Sequence, residues 1–253
     1  MTIRLKEANK YSSIQKALGQ VYSFEYSDYD SSEEFCNFRA LPGGDLKDGF
    51  LFRGASPVDN SRNRAAYTDQ LLKQNSIAYV IDLADSKENM QEYLSEEGFN
   101  SPYTAGLYEN DRISLLNMSS SYQSEEYKHK VAIGMKEMLH ASGPVYIHCM
   151  EGKDRTGFVC MLLEALAGAS YEEMRDDYMK TYDNYYDVSS TKTPEKYDAI
   201  VKLYFDPFVS YLHGTDNMEE LKNADYVQDA MRHLIAGGMT QAEVDQLQKF
   251  ITK

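Results

Sequence analysis

The sequence lacks the features by which nucleic-acid-binding and membrane proteins are usually identified. Among its 253 residues, only 26 Lys and Arg stand against 40 Asp and Glu, which gives a formal charge of −14. Nucleic acids and anionic membrane surfaces both attract a basic protein face, so neither is expected as the main partner. The longest apolar runs, such as 77–81 and 158–163, are far shorter than the roughly 20 residues of a spanning helix. We therefore expect no membrane insertion.

Cysteine is also scarce. The three cysteines, Cys36, Cys149 and Cys160, form no C-x-x-C pair, so they fit neither a disulfide framework nor a cysteine zinc site. We expect all three to be free thiols. The first residues, Met1–Lys6, contain no apolar core followed by a small-residue cleavage site, so we expect no secretory signal in this chain.

The sequence does contain alternating strand and helix patterns. Short apolar runs with β-branched residues predict strands, and amphipathic segments with capping residues predict helices. The predicted strands are 77–81, 112–116 and 145–148, and the predicted helices are 60–74 or 61–74, 86–98, 124–139 and 155–167. This alternation predicts an α/β fold with a central sheet and helices on both faces.

The last third of the chain has a helical pattern. Ser170, Asn217 and Thr240 each stand three residues before a glutamate, which resembles a capping box. Pro194 occupies the first turn of a further predicted helix, and Pro207 should kink or end that helix. Several short helices are therefore expected after the α/β part.

No linker separates these helices from the α/β part. Domains are usually joined by exposed segments rich in proline, glycine or polar residues. We therefore predict that residues 1–253 form one domain. Its α/β core would span about 37–169, and a helical part of about 170–253 would pack on that core.

One segment, residues 145–157, carries most of the chemistry. It joins a predicted buried strand to a helix N-terminus and places Cys149 and Arg155 six positions apart. In such a turn, consecutive backbone N–H groups can converge on a single anion, and the helix dipole favours the negative charge. The predicted phosphate-binding residues are Met150, Glu151, Gly152, Lys153, Asp154 and Arg155.

The two reactive side chains of this segment suggest phosphoryl transfer. A positive field favours the thiolate of Cys149, and the planar guanidinium of Arg155 can hold two oxygens of a phosphoryl group. In-line displacement would give a cysteinyl-phosphate that water then hydrolyses. The nucleophile is a side chain, so no metal or organic cofactor is expected. The alternative for Cys149 is an inert buried thiol, and core packing is the expectation for Cys160.

The H-C-x5-R-T-G string of residues 148–157 resembles the signature of the cysteine-dependent protein tyrosine phosphatase superfamily. The fuller string, H-C-x-x-G-K-D-R-T-G, is similar to a bacterial branch that includes secreted mycobacterial and listerial tyrosine and lipid phosphatases. Segments 37–39, 51–56 and 80–83 also fit that branch. The resemblance covers about 38–169 and implies the superfamily's fold, a central sheet flanked by helices.

The resemblance implies roles for individual residues. Cys149 would be the nucleophile, and Arg155 would bind and stabilise the transferring phosphoryl group. Thr156 would donate its hydroxyl toward the departing thiolate. His148 would support the turn through ring hydrogen bonds, and the alternative is a histidine that only packs at the strand end.

The general acid is the most open assignment. Many superfamily members use an Asp on a mobile loop that contains tryptophan, and this sequence has no tryptophan. The bacterial branch favours Asp154, with Asp82, Asp85 and Asp111 as alternatives. Asp82 and Asp85 could instead be a cap at the sheet end and a solvated turn residue. The branch often reads Asp-Leu-Arg where this chain has alanine at position 84.

Two features bear on the substrate. Lys153 could hold a second phosphate, as in phosphoinositide phosphatases of the superfamily, or could simply face solvent. An aromatic group after the core could form a lid that favours a phosphotyrosine ring, or could be a packing face. The members of this group are Tyr178, Met179, Tyr182, Tyr185 and Tyr186.

Three functions are therefore considered. The first is hydrolysis of phosphotyrosine in proteins, and the second is the same chemistry on phosphoinositides or inositol phosphates. The third is a module that binds a phosphorylated partner without turnover. Intact Cys149 and Arg155 favour the two enzymatic functions.

Overall fold

A five-stranded sheet lies at the centre of the computed structural model, which describes residues 22–253. The expectation about Met1–Lys6 lies outside these described residues. The strands follow the order β1-β2-β5-β3-β4, in which β1 is antiparallel to β2 and the other neighbours are parallel. Their bounds are Arg39–Ala40 for β1, Leu51–Gly54 for β2, Tyr79–Asp82 for β3, Ile113–Leu115 for β4 and Val145–His148 for β5.

Helices of the α/β part cover both faces of the sheet. They are α1 (Ser32–Phe35), α2 (Ala65–Gln74), α3 (Lys87–Ser95), α4 (Pro102–Glu109), α5 (Glu125–Met138) and α6 (Asp154–Leu166). Side chains alternate along each strand, so neighbouring residues enter opposite cores. Val80 and Tyr146 pack with α1, α2 and α4, whereas Ile81 and Ile147 pack with α5 and α6. The predicted α/β fold is confirmed.

The helix predicted from Asn60 or Ser61 begins later, at Ala65. Asn63 has a φ of 58°, which lies outside the right-handed helical region and delays the helix. Asn60 still contributes, because its side-chain oxygen accepts the N–H of Ala65 at 3.3 Å. The predicted cap at Asn60 or Ser61 was therefore wrong, because the N-cap position is Arg64 and its side chain makes no capping hydrogen bond.

The C-terminal helices pack against the same core as α5 and α6. They are α7 (Tyr171–Tyr186), α8 (Pro194–Ile200), α9 (Asp206–His213), α10 (Met218–Asn223), α11 (Val227–Ala236) and α12 (Gln241–Ile251). Ser170 and Thr240 form the predicted capping boxes. Asn217 caps α10 through the N–H of Glu219, without the reciprocal contact of a capping box.

The helix is disrupted near Pro207, as predicted, but the disruption lies just before this proline. A π-helical segment, Val201–Phe205, separates α8 from α9, whose first turn contains Pro207. Proline has no N–H to continue the helical hydrogen bonds, so the preceding turn widens. Across residues 22–253, no helix combines the length and apolar character needed to cross a membrane.

Candidate active site

The predicted reactive segment forms a turn, residues 149–155, between β5 and the first residues of α6. Because β5 lies between parallel strands, the carboxyl ends of β2, β5 and β3 meet at one sheet edge. Gly54 and Asp82 are the register partners of His148 at that edge. Cys149 follows directly, with only 4% of its surface exposed. The sheet therefore places the thiol at the base of the turn.

The carbonyl groups of the 149–155 turn are held from outside by protein donors. Across the described residues, no protein acceptor receives the backbone N–H groups of residues 150–155. These six N–H groups are therefore available to a bound anion.

The carbonyl oxygens of the turn, by contrast, accept hydrogen bonds from protein groups. The pairs are His148 Nδ1 to the Cys149 carbonyl at 3.1 Å, Ser56 N to the Met150 carbonyl at 3.0 Å, Tyr185 Oη to the Glu151 carbonyl at 2.9 Å, Arg53 Nη2 to the Gly152 carbonyl at 2.8 Å, Gly157 N to the Lys153 carbonyl at 2.8 Å and Tyr127 Oη to the Arg155 carbonyl at 3.2 Å.

Gly152 is required by the shape of the turn. Its φ is 66°, in the left-handed region that favours glycine. A Cβ atom at this position would also lie 2.2 Å from the carbonyl oxygen of Gly54. The absence of a side chain at Gly152 therefore allows the turn to approach the end of β2.

A buried ion-pair network lies beneath Gly152. Asp177 of α7 accepts hydrogen bonds from Arg53 Nη1 at 2.5 Å and from Arg39 Nε at 2.6 Å. Against the effect of burial, these two guanidinium groups hold the pKa of Asp177 below its usual value. Asn37 joins the network, since its side-chain amide donates to the Gly152 carbonyl at 3.2 Å.

Local patterns in the sequence do not predict this network. Arg39 and Arg53 lie within segments that fit the resemblance, and Arg53 directly follows the apolar run 50–52. A charged residue at the end of such a run, on a buried strand, is a signal that a partner charge is present. Asp177 gave no comparable signal, because acidic residues are common along α7.

The aromatic residues of α7 do not form a lid. Tyr178, Tyr182 and Tyr185 are buried, and Met179 is buried beside them. Tyr185 instead contacts the turn from beneath through the Glu151 carbonyl. The lid interpretation is therefore wrong for these four residues, and the packing-face alternative describes them. Tyr186, at the end of α7, is half-buried.

Arg155 is oriented by the loop that follows β4. Its Nη1 donates to the carbonyl of Met118 at 2.9 Å. A guanidinium fixed in this way keeps its remaining donors in a set direction, which suits bidentate binding of a phosphoryl group. Thr156 is fully buried, and its hydroxyl has no partner within residues 22–253. This hydroxyl is therefore free to donate to a nearby anion.

His148 lies in a buried polar cluster with Asp82. Its Nε2 is 3.8 Å from Asp82 Oδ2. Burial lowers the pKa of His148 to about 4, so the ring is neutral at pH 7. Burial also raises the pKa of Asp82 to about 6, although this carboxylate caps the strand end by accepting the N–H groups of Ala84 and Asp85. Buried in this way, His148 and Asp82 are better suited to supporting the turn and the strand end than to transferring protons.

Asp85 is the second buried carboxyl at this edge. Burial, followed by the neighbouring Asp82 carboxylate, raises the pKa of Asp85 to about 7. Its Oδ2 has no partner within the described residues, and Tyr93 Oη lies 3.4 Å from its Oδ1. The alternative of a solvated turn residue is therefore wrong for Asp85. Asp111 precedes β4, so it lies at the opposite edge of the sheet from Cys149.

Asp154 and Lys153 lie at the rim of the turn. Asp154 is the first residue of α6, and 48% of its side chain is exposed. Lys153 Nζ is 3.7 Å from the Asp154 carboxylate and 3.9 Å from Glu151. Glu151 also pairs with Arg62 at 3.5 Å and accepts a hydrogen bond from Tyr22. The solvent-facing alternative for Lys153 is wrong, because its ammonium group is largely covered and paired.

The three cysteines are all buried free thiols. Burial raises the pKa of Cys36 and of Cys160 to about 12 in each case. Cys160 lies in the core beside its neighbours on α6, as expected. Cys149 alone among them lies in a turn with available N–H groups. Within residues 22–253, no group of His, Cys, Asp and Glu side chains is arranged to hold a metal ion.

Comparison with known proteins agrees with this arrangement. The sequence matches the family model described as "Tyrosine phosphatase family" over residues 31–252. No curated protein matches the sequence. The match to the family model covers nearly the whole described chain, from α1 to the end of α12. The chain therefore belongs to the tyrosine phosphatase family and is a cysteine-dependent phosphatase.

Proposed function

We propose that this phosphatase hydrolyses phosphotyrosine in proteins through a covalent intermediate on Cys149. The observation that carries the proposal is the 149–155 turn. Its N–H groups lack protein acceptors within the described residues, its base holds Cys149, and its end holds the oriented Arg155. A tetrahedral oxyanion bound there would place its phosphorus atom against the thiolate.

In the first step, the Cys149 thiolate attacks phosphorus and the bond to the phenolic oxygen breaks. Arg155 and the N–H groups stabilise the negative charge on the three remaining oxygens. Asp154 gives its proton to the departing phenolate. This assignment is supported by the exposure of Asp154 at the rim, whereas Asp82 and Asp85 are buried.

In the second step, water attacks the phosphorus of the cysteinyl-phosphate and the S–P bond breaks. The Asp154 carboxylate accepts a proton from that water, and inorganic phosphate is released. The thiolate leaves with the bonding electrons. The free hydroxyl of Thr156 can donate a hydrogen bond to the departing sulfur, which eases this step.

The charges at the rim favour a substrate with a single phosphate. Despite burial, the neighbouring Asp154 carboxylate raises the pKa of Lys153, and Glu151 pairs with the same ammonium group. Arg62 is also paired with Glu151. The two cations that could hold a second phosphate therefore share the Glu151 carboxylate, which weakens their attraction for phosphoinositides and other polyphosphorylated substrates.

Met150 supports an aromatic substrate. It directly follows Cys149, and 39% of its surface is exposed beside the turn. A flexible thioether beside the reaction centre can contact the face or edge of a phenyl ring. The ring of phosphotyrosine would gain this contact, whereas the short side chains of phosphoserine and phosphothreonine would not.

The test is phosphate release from a panel of substrates at matched concentrations. The panel contains phosphotyrosine, phosphoserine and inositol-containing substrates, with Cys149→Ser as the blank. We expect the phosphotyrosine peptides to be turned over fastest. Preferential release from phosphoinositides or inositol phosphates would contradict the proposal and indicate that Lys153 is a specificity residue.

A further inference from the structure

We infer that α7 holds the 149–155 turn in its anion-binding shape, with Asp177 as a positioning residue that acts through Arg53. The inference rests on the proposed function, because it concerns the phosphate site of that reaction. Asp177 does not touch the turn itself. It fixes the direction of a guanidinium group that does, through the contact of Arg53 Nη2 with the Gly152 carbonyl.

Four side chains of α7 act on the turn along one face of the helix. Asp177, Thr181 and Tyr185 are spaced four residues apart, so they face the same side. Thr181 Oγ1 accepts the amide of Asn37 at 3.0 Å, and Asn184 donates to the same Asn37 at 3.1 Å. Asn37 in turn donates to the Gly152 carbonyl. Tyr185 reaches the Glu151 carbonyl directly.

These contacts fix the orientation of two consecutive peptide groups. A carbonyl drawn outward forces the N–H of the following residue to point into the turn, because the peptide unit is planar. Donors on the Glu151 and Gly152 carbonyls therefore aim the N–H groups of Gly152 and Lys153 at the anion. Arg53 and Asp177 are both buried, so water cannot easily replace their contacts.

Asp177 contributes a negative charge as well as hydrogen bonds. Its carboxylate faces two guanidinium groups, those of Arg39 and Arg53. A neutral amide at position 177 would leave both cations with weaker partners. Arg53 would then be free to turn away from the Gly152 carbonyl, and the turn would lose one of its two donors at that point.

The first experiment compares Asp177→Asn with Asp176→Asn. Asp176 is the adjacent residue on α7, but it is exposed and pairs with Arg175 away from the turn. Binding of inorganic phosphate is measured by competitive inhibition, below the unfolding temperature of each variant. We expect Asp177→Asn to weaken phosphate binding roughly ten- to a hundredfold, as for loss of a hydrogen bond to a charged group. Asp176→Asn should bind phosphate normally.

A gentler pair of variants tests the same inference if Asp177→Asn does not fold. Tyr185→Phe removes only the hydroxyl that holds the Glu151 carbonyl, and we expect roughly three- to tenfold weaker phosphate binding. Tyr171→Phe removes a hydroxyl from the same helix that bonds Asp206 instead. That control should leave phosphate binding unchanged. We expect Tyr185→Phe to change KM and the inhibition constant of phosphate, while its thermal unfolding midpoint changes little.

Equal phosphate binding by the unchanged protein, Asp177→Asn and Tyr185→Phe would overturn this inference while leaving the proposed function intact. Loss of phosphate binding in both control variants as well would also contradict it, because the effect would then be general destabilisation. Absence of phosphate binding in the unchanged protein would overturn the proposed function and this inference together.

Discussion

Asp154 and Asp85 differ in the surroundings of their carboxyl groups. Asp154 is exposed by 48% at the start of α6, where a leaving group could reach it. Asp85 retains only 7% exposure, and its Oδ2 has no partner within residues 22–253. A general acid must contact the leaving oxygen, so accessibility favours Asp154. Burial instead makes Asp85 a determinant of stability.

Asp154→Asn should slow hydrolysis in a manner that depends on the leaving group. An alkyl phosphate needs a proton on its departing oxygen, so we expect roughly a 10²- to 10⁴-fold loss with this substrate. With a phosphate ester of an acidic phenol, the rate of hydrolysis should fall much less, because its leaving group departs as an anion. Steady-state rates with the two substrates measure the difference. Equal losses would show that Asp154 acts on turn structure.

Asp85→Asn should stabilise the protein at neutral pH. The folded-state pKa of about 7 lies above the ordinary value of 3.8, so the folded state holds this proton more tightly. Stability from that proton is present below pH 4 and is lost as pH rises toward 7. The gain in the variant should therefore grow between pH 4 and 7 and level off above it.

Thermal midpoints of the Asp85→Asn variant and the unchanged protein, measured across this pH range, test the prediction. We expect a gain of a few degrees at pH 8, since a protein of this size shifts about 2–4 °C per kcal/mol. Asp111→Asn is the control, because Asp111 is exposed at a turn. A gain for Asp85→Asn that did not change with pH would indicate that the cause is not the buried charge.

At the scale of elements, the close approach of the 149–155 turn to the end of β2 depends on Gly152. Gly152→Ala would place a Cβ atom 2.2 Å from the Gly54 carbonyl oxygen, and backbone cannot yield as a flexible side chain would. We expect loss of phosphate binding and a stability cost above the roughly 1–2 kcal/mol of a left-handed alanine.

Gly49→Ala provides the matched control for that variant. Gly49 has a similar φ of 61°, but no atom lies within 4 Å of the position that an alanine methyl group would occupy there. The Gly49→Ala variant should therefore lose only the stability that a left-handed alanine costs, and it should retain activity. Phosphate inhibition and chemical denaturation of both variants measure the two effects. Normal phosphate binding by Gly152→Ala would contradict the described contact between the turn and β2.

The elements that the sequence predicted well share a local cause. β5 and α6 were recognised because apolar periodicity and a helix N-terminus are encoded in neighbouring residues. The turn between them was recognised from one contiguous motif. The Arg53–Asp177 pair was missed because its partners are 124 residues apart, and no local pattern joins them. The lid interpretation failed for a similar reason, since helical spacing shows which residues share a face but not what covers it.

At the scale of the whole molecule, a net charge of −14 surrounds a turn whose backbone N–H groups and Arg155 attract anions. Its long-range field should repel acidic substrates and attract basic ones. Raising the ionic strength to about 0.15 M shortens the screening length to about 8 Å. We therefore expect kcat/KM to rise with salt for a phosphotyrosine peptide with acidic flanks and to fall for one with basic flanks. The same salt response for both peptides would contradict this expectation.

The central claim is that Cys149 carries the phosphoryl group during turnover. Rapid quenching of the protein with a phosphotyrosine peptide, followed by mass spectrometry of the digested chain, tests it most directly. We predict a single added phosphoryl group on the peptide that contains Cys149, absent from Cys149→Ser. A phosphoryl group on a different residue, or full turnover by Cys149→Ser, would contradict the covalent mechanism proposed for this site.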